Sequence, residues 1–295
     1  YGRKEKDMNI TRTKSDKVFD IVIIVIVSII ALLFLFPLLN VLASSFSSPD
    51  QIVAGNVGLF PQQFTLSGYK YIFKEAKIWR GFWNSVKYTF IGTIIQVSCQ
   101  MLCAYPLSRK DFKGRKFLNL FLVLTMFLSG GMIPTYLLIN QLHLYNTVWA
   151  IILPGCISVF NIIVIRTYME SSIPKELQEA AMIDGCGDIR IFTRIVLPLC
   201  RPIIAVMILY AVVGYWNSYF NALMYVQDVK LMPLQNVLNS ILISNESSLG
   251  SGTDVNLSEQ LKYVTIVVSS LPLLIIYPFF QKYFEKGVTI GGVKG

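Results

Sequence analysis

Between Asp20 and Asp50 the chain carries no charged residue. An α-helix needs only about 20 apolar residues to cross the hydrocarbon core of a bilayer. In that solvent only helices and closed barrels leave no backbone polar group unpaired. Five further uncharged runs follow, and together they predict spans over 20–46, 83–108, 117–140, 146–168, 200–225 and 261–283. The 295 residues are 54% hydrophobic and 15% charged, with a mean hydropathy of +0.57. That balance excludes an ordinary soluble domain. The expected fold class is an all-α polytopic membrane protein with six transmembrane helices. Its parts are an N-terminal segment over 1–17, a transmembrane domain over 18–285 and a tail over 286–295. The first seven residues precede Met8 and are read as a remnant or an alternative start. The first run is too long for a signal peptide and lacks a small-residue cleavage site.

Charge sets the orientation. The formal net charge of +9 is unevenly distributed. With the N-terminus inside, inner segments hold eighteen Lys and Arg and outer segments five. By the positive-inside bias, both termini and the stretch between the fourth and fifth spans are cytoplasmic. The same bias accounts for the positive charge without nucleic acid as a partner. The chain is expected in a bacterial plasma membrane, crossing it several times.

Chemistry is conspicuously sparse. His143 is the single histidine, and no second ligand lies near it, so no metal site is expected. Five cysteines (Cys99, Cys103, Cys156, Cys186, Cys200) sit in or beside apolar runs and read as small buried hydrophobes. No Gly-rich loop ends in Lys-Ser/Thr, so ATP is not bound by that route. Nucleophile and metalloprotease signatures are missing, and the spans hold no acidic or basic residue at mid-depth, which ion-coupled carriers usually need. Neither a cofactor nor catalysis is expected in this chain, and the energy for any transport has to come from a partner.

The stretch 173–202 is the longest mixed-polarity segment between two apolar runs. Pro174 suits the start of a helix, and 175–182 are good helix formers. Gly185 suits the left-handed stop, Asp188 the cap of a second helix, and Pro198 its end. Two short helices broken by a glycine are predicted, a folded unit suited to docking.

Glu179-Ala180-Ala181, then Gly185, then Ile195-Val196-Leu197-Pro198 reproduces the pattern of the inner-membrane subunits of binding-protein-dependent ABC importers. The terminal 287–295, Ala104-Tyr105-Pro106-Leu107-Ser108-Arg109 and Phe112-Lys113-Gly114-Arg115-Lys116 are similar to the second permease of the maltose-type carbohydrate group, especially its polysaccharide-fragment importers. The resemblance covers the chain from about Ser15 onward. It implies a complex of this chain, a second permease subunit, two ATPase subunits that hold ATP and Mg, and an extracellular or periplasmic solute-binding protein. Membrane lipid surrounds it, and a sugar or oligosaccharide is its cargo. It also implies that Leu177, Glu179, Ala180, Ala181, Gly185, Ile195, Leu197 and Pro198 form the ATPase-coupling segment. Glu179 would meet a cation of the ATPase, the two alanines would allow close approach, and Gly291, Gly292 and Lys294 would form an ATPase-contacting tail. The blander alternatives are a solvated helix face and a frayed end.

For the substrate path the residues suggest Tyr210, Tyr215, Trp216, Asn217, Tyr219 and Asn221 on the fifth span, with Asn84 and Gln96 on the second. Flat rings and amides together hold sugars. Tyr and Trp at span ends also serve as interface anchors, and polar residues inside also join helices. The segments 49–81 and 228–260 are expected to meet the binding protein. A self-contained secondary carrier is the competing reading.

Overall fold

A computed structural model describes residues 14–128, 130–247 and 255–292. Every regular element among them is a helix. Three helices are long and apolar enough to cross a membrane, and up to six spans result if each sharply bent pair counts as one. The chain divides into two compact units, Tyr1–Lys70 with Ser251–Val267, and Tyr71–Gly250 with Val268–Gly295.

The first unit contains α1 (Lys14–Ser45), α2 (Pro49–Val53) and the start of α3 (Ser67–Lys74). Pro37 sits inside α1 without ending it. Nearly every apolar side chain from Val18 to Leu42 is exposed, as a lipid-facing helix requires. The polar loop after α1 is folded onto its end. Thr65 donates its N–H to the carbonyl of Phe46, and Gln62 donates to Ser47 Oγ. The Phe46 ring stacks on both Phe64 and Tyr69.

One amide ties this unit together. Gln260, on the segment of α15 (Val255–Gly292) that belongs here, is fully buried. Its Oε1 accepts from Ser67 Oγ at 2.8 Å and from the Gly68 N–H at 3.1 Å, and its Nε2 donates to the Ser45 carbonyl at 3.3 Å. Gly68 has to be glycine, since a Cβ there would lie 2.9 Å from Val264 Cγ2 and 3.1 Å from Gln260 Oε1.

The second unit is built on α4 (Ala76–Ser108), against which α8 (Val159–Ser172), α12 (Arg201–Trp216) and α14 (Leu234–Ser247) all pack. α4 starts before its uncharged run, with Lys77 and Arg80 on its exposed side. Between α4 and α8 lie α5 (Arg115–Phe127), α6 (Met132–Gln141) and the short α7 (Trp149–Ile152). The third predicted span is broken around Gly131, whose φ of +86° suits glycine. The fourth bends by 49° between Gly155 and Val159. The fifth is two helices, α12 and α13 (Tyr219–Tyr225), separated at Asn217 and Ser218. A surface clip follows: the Asn146 side-chain oxygen accepts from the N–H groups of Gln227 and Asp228.

Helix α14 lies within 228–260 and is seated on the N-terminal part of α4. Asn84 Nδ2 donates to the carbonyls of Lys230 and Met232, and Tyr88 OH donates to that of Leu231. Ser85 Oγ accepts from the Leu234 N–H at 2.8 Å, supplying one of the partners that a helix start lacks. Gly81 permits the close approach, because a Cβ there would lie 2.9 Å from Val237 Cγ2.

Replacing Gln260 by Leu leaves the buried Gly68 N–H without its partner. The expected loss is about 1–3 kcal/mol, read as a lower midpoint in thermal unfolding of the purified protein. An unchanged midpoint would remove the amide from its structural role.

Candidate functional site

Helix α9 (Lys175–Ile183) begins after Pro174, which caps it. It ends in a left-handed turn at Gly185, φ +76°. The Gly185 N–H reaches the Met182 carbonyl and the Cys186 N–H that of Ala181, the paired bonds of a Schellman stop. A helical rod then runs from α10 (Asp188–Ile191) through a π turn (Phe192–Val196) into α11 (Leu197–Leu199). Two expectations are corrected here. Gly187 caps the rod instead of Asp188, because the Asp188 carboxylate is taken by a guanidinium. Pro198 does not end the helix: the wide π turn precedes it, and an 81° break comes after Leu199, before Arg201. A π turn displaces the carbonyl that a proline ring would otherwise strike.

The rod and α9 present one face inward and one outward. Ala181, Ile191, Phe192 and Val196 are buried with Ile173, Tyr105 and Met169 in one apolar cluster. Ala180, Glu179 and Leu177 face out, as does Pro198, while Ile195 and Leu197 are half-buried. Of the two motif alanines, then, Ala180 is open to a visitor and Ala181 packs at home. Ile183 and Ile189 are 86% and 81% exposed, a large apolar display on a small polar unit.

Arg109 holds this unit to α4. At the C-terminal cap of α4, its guanidinium donates to both carboxylate oxygens of Asp111, to Asp188 Oδ1 at 2.6 Å and to Tyr105 OH at 3.1 Å. It also lies 3.4 Å from Met182 Sδ. Hydrogen bonding to Arg109 holds the Asp111 carboxyl below the usual carboxylate range. The pairing is therefore complete above that range and is lost only as pH falls through the lowered value. Beside it, a recess of about 410 Å³ is lined by Arg109, Lys110, Lys175 and Glu179 among others. The neighbouring Lys175 ammonium pushes Lys110 below the usual lysine range. Arg115 pairs with Glu170, which also faces Arg166.

The substrate-path candidates separate into two groups. Gln96, Tyr210, Tyr215, Asn217 and Asn221 line one cavity of about 330 Å³, with Ser218 and Phe220. It lies where the α12–α13 break frees backbone, and irregular backbone at membrane depth is tolerated where it lines a cavity. Asn217 Nδ2 donates to the Val213 carbonyl, which also accepts the Asn217 backbone N–H. Tyr215 contributes only part of its ring. Its OH donates to the Ile152 carbonyl at 3.0 Å, and its face lies against Gly92, where a Cβ would approach to 2.7 Å. Trp216, Asn84 and Tyr219 are placed elsewhere. Trp216 is buried, donates Nε1–H to the Ser269 carbonyl and meets Phe82 edge-on. Asn84 clamps the segment before α14, and Tyr219 OH accepts from Asn239. Gly291 and Gly292 fall in the last turn of α15, and Lys294 lies outside the described residues. Sequence reasoning missed Ser218 and Phe220, which become cavity residues only because the helix breaks there. It also missed the role of Arg109, whose partner Asp188 is 79 positions away.

Arg109→Gln is expected to speed amide exchange across 175–191 about fivefold to tenfold while the spans exchange as before. The gain is modest because both carboxylates are mostly exposed. Unchanged exchange would show that the knot holds nothing.

Residues 9–290 match the family model of the binding-protein-dependent transport system inner membrane component. The chain is 40% identical over 286 residues to the polygalacturonan/rhamnogalacturonan transport system permease protein YtcP of Bacillus subtilis (strain 168), covering 95% of this chain and 99% of that one. Protein LplC of the same organism is 39% identical over 287 residues, covering 96% and 97%. A crystal structure of a bacterial ABC transporter involved in the import of the acidic polysaccharide alginate contains a chain that matches with a TM-score of 0.84 and 31% identity, over 92% of this chain and 98% of that one. A match over nearly the whole length, at these identities, makes this chain a member of the binding-protein-dependent inner-membrane transport component family.

Proposed function

We propose that the chain is the transmembrane permease subunit of an ATP-driven importer, moving a sugar or oligosaccharide from an external binding protein into the cytoplasm. The observation that carries this reading is the α9–α11 unit. It is folded, anchored by Arg109, and displays Leu177, Ile183 and Ile189 beside Glu179 with nothing among the described residues covering them. An exposed apolar patch on so small a unit marks a protein contact. The occupant is a cytoplasmic ATPase subunit, with Glu179 meeting one of its cations where partial desolvation strengthens the pair. The chain itself catalyses nothing and needs no cofactor.

In this reading six spans cross the membrane with both termini inside, the bent pairs each counting once. Two ATPase subunits close on ATP, the coupling units move together, and the spans rock between outward-open and inward-open states about a mid-membrane site. The exposed face of α1 meets lipid and the second permease. Segments 49–81 and 228–260 meet the binding protein, and the tail from Gly291 meets the ATPases. The cavity lined by Gln96, Tyr210, Asn217 and Asn221 receives sugar, its amides meeting hydroxyls and the Tyr210 ring a pyranose face. The relatives named above favour a polysaccharide fragment as cargo.

Glu179→Lys should leave the protein inserted and abolish import by the reconstituted complex, either with ATP hydrolysis continuing or with ATPase subunits lost on copurification. Tyr210→Ala should lower import about tenfold with the complex intact, whereas Trp216→Ala should weaken the fold itself. Carriage of labelled galacturonan oligosaccharide by this chain without any ATPase would overturn the reading in favour of a secondary carrier.

A further inference from the structure

Four polar side chains follow one another down α4: Thr89, Thr93, Gln96 and Gln100. At about 100° per residue they fall within roughly 60° of one another, a single narrow stripe. All four are at least nine-tenths buried, Gln100 completely. Gln96 faces the cavity. The hydroxyls of Thr89 and Thr93, and both the Oε1 and Nε2 of Gln100, have no hydrogen-bond partner among the described residues. Higher on the same helix, Asn84, Ser85 and Tyr88 are all satisfied by the segment before α14. The contrast is internal to one helix, and the unpaired groups flank Gln96 on both sides, Thr89 and Thr93 before it and Gln100 after it.

An unpaired amide in an apolar interior costs stability, and Gln100 is set among apolar residues. Val97, Met101 and Ala104 on its own helix belong to the core with Ile162, Ile165 and Met207. Leucine would suit that place better in this conformation. Groups of this kind persist where another state of the protein uses them. The stripe holds hydroxyls and carboxamides only, each able both to donate and to accept, and no formal charge. Such a surface matches polyhydroxylated, uncharged parts of a ligand, not an ion.

We propose that Thr89, Thr93, Gln96 and Gln100 form a hydroxyl-binding rail, and that Gln100, one turn below the present cavity, is the position sugar reaches when the cavity opens past Gln96. The inference rests on the permease reading and assigns its path to one helix face. It sets stability and transport against each other at Gln100.

The test uses the assembled complex with its partner permease, ATPases and binding protein in proteoliposomes. Labelled galacturonan, arabinan and galactan oligosaccharides serve as probes, with the one that the wild type takes up best retained. Gln100→Leu should raise the melting temperature of the complex by about 2–4 °C and lower import at least about tenfold. ATPase assembly should be unaltered. Gln100→Asn should restore part of the import, and the shape-preserving Thr93→Val should lower it. Import at the wild-type rate by Gln100→Leu overturns the rail while leaving the permease reading intact. A lower melting temperature also overturns it, since the amide would then be paired within the fold. If the wild-type complex imports none of the probes, the polysaccharide-fragment cargo is overturned and the rail with it.

Discussion

A polar group inside a membrane protein has no water to fall back on, so each one has to be paired by the chain or kept for something else. The larger unit is arranged around that constraint as it acts on α4. Along its first turns, Asn84, Ser85 and Tyr88 spend their hydrogen bonds on the backbone from Lys230 to Leu234. That fixes α14 against Gly81. Farther along, the polar residues stop being structural. Gly92 admits the Tyr215 ring, Gln96 opens onto the cavity, and below it the amide of Gln100 is left alone. At its last residue α4 meets Arg109, and through it α9 and α10. One helix thus touches the segment before α14, the cavity and the α9–α11 unit.

The smaller unit meets the same constraint with one residue. Gln260 gathers a helix end, a helix start and a glycine approach around a single carboxamide. Ser45 and Ser47 can be buried there because their hydroxyls donate to the carbonyls of Leu42 and Ala43.

Much of this was legible beforehand, for definite reasons. Apolar runs announce helices because a bilayer allows little else, and Gly185 announced its turn because a positive φ is cheap only for glycine. What the sequence concealed depended on distance or on breaks. Nothing local distinguishes Asn84, which clamps a loop, from Gln96, which faces a cavity. Both are amides on one helix, and only the remote segment after Asp228 separates them. Trp216 reads in the sequence as a sugar platform, and in this structure it is buried with its N–H on the Ser269 carbonyl. The fifth span hid its interruption because Asn217 and Ser218 are ordinary residues in an apolar run.

The rod from Asp188 to Leu199 is held between two sharp corners, the stop at Gly185 and the break after Leu199. At 1.5 Å per residue it is about 18 Å long. In the proposed importer, a member pinned at both ends would act as a crank, turning a displacement of α9 at one end into rotation of α12 at the other in a ratio set by its length. The number of residues between Gly185 and Pro198 is then a gear ratio. An insertion there would change the stroke delivered to the spans even if every contact at either end were preserved.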